Sequence, residues 1–175
     1  MSDSENELAE VYLQPGEVYL ARKPTIIRTI LGSCVGVTFW SSSLGCGALC
    51  HALLPRSPKS SRCGLTLADG YRFVDFSIRE LARQFDKLGA LRGEVEVKLF
   101  GGSDVLPING GVARPATVGR QNCDVAVELV EVEGFRLAAS SLGGTRGRHI
   151  EFNTRTGEVR LRWLSGAVLE RSFEP

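Results

Sequence analysis

From Glu17 onward the chain reads as short apolar runs separated by small breaks. EVYLAR, TIIRTIL, CVGVTFW and GALCHALL are rich in β-branched and aromatic residues, and breaks such as Lys23-Pro24 and Gly32-Ser33 part them. That is the pattern of consecutive β-strands. Farther along the period lengthens. In YRFVDFSIRELARQFDKLG, Val74, Ile78, Leu81, Phe85 and Leu88 recur at intervals of four and three, which builds one apolar helix face. Asp69 is the expected N-cap of this helix and Gly89 its expected stop. EVEVKLF alternates as a strand and runs into Gly101-Gly102. GRQNCDVAVELVEVEG is predicted as a second helix, FRLAASS as a strand, and HIEFNTRTGEVRLRWL as a hairpin turning near Thr154 to Gly157. Loops fill the rest: one after His51 carries Arg56, Lys59 and Arg62, and another passes through Pro107 and Pro115. Residues 1–14 read as a flexible tail and residues 15–175 as a single domain. The expected class is α+β, with layered mixed β-sheets, antiparallel hairpins and two main flanking helices.

Bulk properties narrow the function. A chain of 175 residues, 43% hydrophobic and 23% charged, can bury a core without staples. Its 21 basic and 20 acidic side chains leave a net charge of +1, which argues against a general nucleic-acid binder. The start, MSDSENELAE, is acidic where a secretion signal is basic and then apolar, and no run is long enough to insert into a membrane. Five cysteines, an odd number without secretory context, predict free thiols and a cytoplasmic location.

The break at Gly32-Ser33 delivers a cysteine, Cys34, at the point where apolar sequence resumes. With only two histidines in the chain, a cysteine–histidine pair has few ways to form. A hairpin centred on Ser42-Ser43 sets Cys34 directly opposite His51, with Cβ atoms roughly 5 Å apart on one face. Such an imidazole favours the thiolate, the nucleophilic form. The alternatives are a buried apolar cysteine beside a core histidine, and a metal site from Cys46, Cys50 and His51. The second lacks a separated ligand pair, so no metal and no cofactor are expected. The loop Gly143-Gly144-Thr145-Arg146-Gly147-Arg148 reads as a phosphate cradle or, more simply, as a turn holding two strands. Its arginines are also placed to meet acidic groups on a partner. His149 reads as a surface residue.

ILGSCVGV followed by HALLP resembles the chemoreceptor glutamine deamidase family, CheD, with its G-S-C-V and H-x-x-L-P segments. The likeness continues through VEVKLFGGSDVL, VGRQN and SLGGTRGRHIEFNTRTGEV, in order, over roughly residues 15–165. The resemblance implies deamidation of receptor glutamines to glutamate with release of ammonia, through a thioester. By position it makes Cys34 the nucleophile, His51 the general base and Thr29 the group that orients His51. Gly32 and Ser33 then form a turn whose amides, with that of Cys34, stabilise the oxyanion. It implies as partners the cytoplasmic helices of chemotaxis receptors and a CheC-type phosphatase. The rival it leaves open is a mainly non-catalytic regulator of that phosphatase.

Overall fold

A computed structural model describes residues 8–58, 64–104 and 116–165. Among these residues nine strands sort into two sheets. One is four-stranded: β1 (Ala9–Tyr12), β3 (Thr25–Leu31), β8 (Arg148–Asn153) and β9 (Val159–Trp163), in the order β1-β3-β8-β9. The other is five-stranded, with β2 (Val18–Ala21), β4 (Val35–Ser41), β5 (Cys46–Ala52), β6 (Glu96–Gly101) and β7 (Arg136–Leu142) in the order β2-β5-β4-β6-β7. The pairs β1–β3 and β6–β7 are parallel and the rest antiparallel, so both sheets are mixed. A short helix α1 (Leu67–Gly70) precedes α2 (Val74–Lys87) and α3 (Val118–Val132). No helix among the described residues is long and apolar enough to cross a membrane.

Alternation along the central strands explains the layering. Val35, Val37 and Phe39 of β4, with Cys46, Ala48, Cys50 and Ala52 of β5, pack against Val74, Ile78, Leu81 and Phe85 of α2 and against Val125, Ala126 and Leu129 of α3. The other face of the same sheet carries Leu49, which joins Leu13, Ile27, Leu31, Phe100, Ile150 and Phe152 from between the sheets. The layers run helices, five-stranded sheet, four-stranded sheet. A strand covered on both faces has no polar side, which is why GALCHALL shows no alternation and why β5 is buried throughout.

Four expectations are corrected. The segment read as a tail contains β1, which lies parallel to β3 from Ala9↔Thr25 to Tyr12↔Arg28. Four residues carry little strand signal of their own; the pairing comes from the exposed edge of β3. Asp69 does not cap the long helix. It lies in α1, where the Thr66 hydroxyl accepts its N–H at 3.2 Å. The helix cannot start there because the Arg72 carbonyl accepts from Leu53 N (2.9 Å) and Val74 N donates to Leu54 O (2.8 Å), which holds Phe73 extended against the end of β5. The β4–β5 hairpin closes at Ser41↔Cys46, so Gly36 rather than Cys34 opposes His51. Its turn takes four residues because Gly45, at φ +60°, supplies the left-handed position that closes it. Lastly, His149 is half-buried, paired between Ile30 and Arg162. Gly89, at φ +84°, follows the end of α2, and the last hairpin turns at Thr154 to Gly157.

Candidate active site

The interruption at Gly32-Ser33 is where the chain leaves one sheet for the other. β3 ends at Leu31 in the four-stranded sheet, and β4 begins at Val35 in the five-stranded one. Cys34 is therefore delivered to the seam between sheets, half-buried against the inter-sheet cluster. His51 lies on the same face of the five-stranded sheet, two positions diagonal from Cys34 in the observed register. Diagonal partners of this kind remain within reach of long side chains. Space at the register position between them is tight: a Cβ on Gly36 would come 2.9 Å from a Leu31 methyl.

Thr29 reaches His51 from the opposite sheet. Its Oγ1 lies 2.8 Å from His51 Nδ1 and 2.9 Å from the Leu13 carbonyl oxygen. A hydroxyl has one proton, and a carbonyl can only accept. Thr29 therefore donates to Leu13 and accepts from His51, which puts the imidazole proton on Nδ1. Nε2 is left as the basic nitrogen, buried and without a hydrogen-bond partner among the described residues. Leu13 belongs to the segment read as a tail from sequence. It supplies the end of this relay.

Burial sets the charge state. It pushes the Cys34 thiol up to about 11, with the residue's own amide N–H pulling weakly the other way. It pulls His51 down to about 4. Burial thus works against the thiolate and the imidazolium alike, in opposition to the pull of proximity. Removing both groups from water penalises both charges.

The turn is held by two other segments. Ser103 N donates to Gly32 O (2.8 Å), and Gly102 N donates to Cys34 O (2.8 Å). Asn122 Nδ2 of α3 donates to both Ser33 O and Leu53 O, at 2.9 Å each. Gly101 has φ +104°, and a Cβ there would run into the Cys34 carbonyl oxygen. A Cβ on Gly119 would sit 2.7 Å from Ser103 O. Ser103 is itself fixed, its hydroxyl donating to Arg146 O (2.7 Å) and accepting from Arg148 Nη2 (2.9 Å). Arg148 is fully buried; its guanidinium also donates to the Ser141 and Gly143 carbonyls and lies 4.7 Å over the Trp163 ring. Arg146 donates to Leu164 O (3.2 Å). The Gly143–Arg148 loop is a structural clamp, and Arg148 is not available to an acidic partner.

The end of β6 and α3 thus grip the cysteine turn directly, and the Gly143–Arg148 loop braces it through Ser103. A family model described as "CheD chemotactic sensory transduction" matches residues 53–163. A protein of Geobacter sulfurreducens named probable chemoreceptor glutamine deamidase CheD 2 is 43% identical over 91% of this chain and 92% of its own. Proteins named probable chemoreceptor glutamine deamidase CheD from Maridesulfovibrio salexigens and Thermococcus kodakarensis are 34% and 37% identical, each over 94% of this chain and nearly all of their own. The chain belongs to the CheD family. The CheD family model begins just after His51, whereas the long alignments extend over most of the chain.

Cys46 and Cys50 face the helices while His51 faces the other sheet, so the three do not converge as ligands. Among the described residues no group of three His, Cys, Asp or Glu side chains is placed to hold a metal ion. Arg56 pairs with Glu128 at 2.5 Å. Lys59, Arg62, Cys63, Pro107 and Pro115 lie outside the described residues. Sequence reading quoted Asn122 and Ser103 within VGRQN and VEVKLFGGSDVL but gave neither a role, and it gave none to Leu13. The available signal was Asn122 itself, a polar residue on the Asn122-Val125-Ala126-Leu129 face of α3 that packs inward.

Proposed function

We propose that this protein is a cytoplasmic, cysteine-dependent amidohydrolase that converts glutamine side chains of chemoreceptors to glutamate and ammonia. The relatives' names support the reaction. The observation that carries the chemistry is the relay from Leu13 through Thr29 to His51, which leaves Nε2 unprotonated on the face that Cys34 shares. Receptor cytoplasmic helices are the substrate, and a CheC-type phosphatase is a proposed partner.

In this mechanism the Cys34 proton passes to His51 Nε2 as sulfur attacks the amide carbon, because burial works against either charge in the resting site. The carbonyl π electrons move onto oxygen, giving a tetrahedral oxyanion. As it collapses, the C–N bond breaks and His51 returns its proton to the departing nitrogen, releasing ammonia and leaving a thioester. Water then attacks the thioester carbonyl while Nε2 takes a water proton. Collapse of the second tetrahedral species breaks the C–S bond, frees glutamate and hands the proton back to sulfur.

Incubating the protein with a receptor cytoplasmic fragment should raise the fragment's mass by about one unit per modified glutamine, the signature of amide-to-acid exchange. A fragment that keeps its mass beside folded protein would refute the reading. Thr29→Val tests the relay. It keeps the side chain's shape but leaves the His51 Nδ1–H and the Leu13 carbonyl unpaired, at a cost of about 1–3 kcal/mol in stability. The rate should fall at least roughly tenfold, since an imidazole with undirected tautomer is a poor base. Thr29→Ser, which restores the hydroxyl, should recover most of it in the same kinetic assay.

A further inference from the structure

Each carbonyl of the Gly32-Ser33-Cys34 turn is held from behind: by Ser103 N at Gly32 O (2.8 Å), Asn122 Nδ2 at Ser33 O (2.9 Å) and Gly102 N at Cys34 O (2.8 Å). Among the described residues, no acceptor on another residue meets the three amide N–H groups of the same turn. In a trans peptide the C=O and the following N–H point to opposite sides. Gripping Ser33 O therefore fixes the direction of the Cys34 N–H, and gripping Gly32 O fixes that of the Ser33 N–H. The Cys34 amide and Sγ belong to one residue, so donor and nucleophile sit side by side.

Asn122 is fully buried on an otherwise apolar helix face. Both of its amide hydrogens are used, one on the cysteine turn and one on Leu53 O, two residues past His51. Its Oδ1 has no partner among the described residues. A side chain selected for packing alone would not bring an unsatisfied acceptor into the core. This one ties the nucleophile's turn to the end of the histidine's strand.

We propose that Asn122 is a positioning residue of the deamidation: by holding the Ser33 carbonyl it aims the Cys34 amide, beside that of Ser33, at the oxyanion of both tetrahedral intermediates. The proposal rests on the cysteine mechanism above. Donors aimed before charge develops need no reorganisation as it forms, and removing one such donor costs roughly 10²–10³ in rate.

Two reactions of one sulfur separate this role from a general loosening of the site. Deamidation passes through an oxyanion. Alkylation of Cys34 by iodoacetamide displaces iodide at a saturated carbon and forms none, though it needs the same thiol and base. In Asn122→Ala, kcat for a receptor fragment should fall roughly 10²-fold. KM and the rate of Cys34 alkylation should stay within about threefold of the unmodified protein, because neither depends on oxyanion donors. Peptide-resolved mass spectrometry should find the buried Cys46 and Cys50 unlabelled, which reports an intact core. Asn122→Ser, which keeps a donor in a smaller volume, is read in the same way. Unchanged kcat, or equal losses in deamidation and alkylation, would overturn the proposal, as would labelling of Cys46 and Cys50 in both variants. Deamidation by Cys34→Ala would instead sink the cysteine mechanism itself, whatever Asn122 does.

Discussion

Cys34→Ala is expected to fold normally and to produce no glutamate. The thiol is half-buried at the edge of the inter-sheet cluster, so its loss removes one small group, worth less than about 1 kcal/mol. The turn survives because its three anchors grip backbone oxygens of Gly32, Ser33 and Cys34, none of which the substitution touches. Catalysis has no such reserve: without sulfur there is no thioester. Intact-mass measurement on a receptor fragment, beside a melting curve within a few degrees of the unmodified protein, checks both halves. Turnover by the alanine variant would require another nucleophile and end the assignment.

His51→Ala is expected to cost at least roughly 10²-fold in rate, because in the proposed cycle one nitrogen performs every proton transfer. The Thr29 hydroxyl keeps its Leu13 acceptor in this variant, so the relay's far end is not orphaned. The pH profile supplies an independent signature. Burial lowers His51 from 6.5 to about 4, so protonation should silence the unmodified enzyme only near that lower value, and the acid limb of kcat/KM should fall well below pH 6. The linked effect on stability has a definite sign. Between 6.5 and about 4 the unfolded chain binds a proton that the folded chain refuses. Stability from this group is complete above the upper value, declines as pH falls through the window and is gone below the lower one. Denaturant unfolding across that window should be less pH-dependent in His51→Ala. Near-normal activity in the variant would make His51 structural.

Much of this was legible in the sequence because it depends on local pattern. Apolar residues at 74, 78, 81, 85 and 88 specified α2, the breaks around TIIRTIL and CVGVTFW located β3 and β4, and Gly157 marked the last turn. Alternation put Cys34 and His51 on one face even though the register was displaced by a pair, since such a slip preserves the facing side. What stayed hidden depends on long-range partners. β1 exists because β3 offers it an edge. Asp69 lost its capping role to contacts between residues 72–74 and the end of β5. Asn122 is separated from Ser33 by 89 positions, and no periodicity within α3 names the carbonyl it grips. The effect of burial on the pair was hidden for a similar reason: proximity favours an ion pair, but only the assembled layers show that both groups are removed from solvent.

The passage of the chain between sheets at Cys34 also bears on the order in which reactivity appears during folding. The β4–β5 hairpin joins neighbours in sequence and closes a short loop, whereas β3 pairs with β8 across more than a hundred residues. Local contacts form early and distant ones late. A newly made chain that holds only the hairpin has thiol and imidazole on a common face but no Thr29 to choose the tautomer and no Asn122 to aim the amide. Such a chain lacks the proposed amidase machinery. Under the proposed mechanism, amidase activity thereby waits for completion of the sandwich.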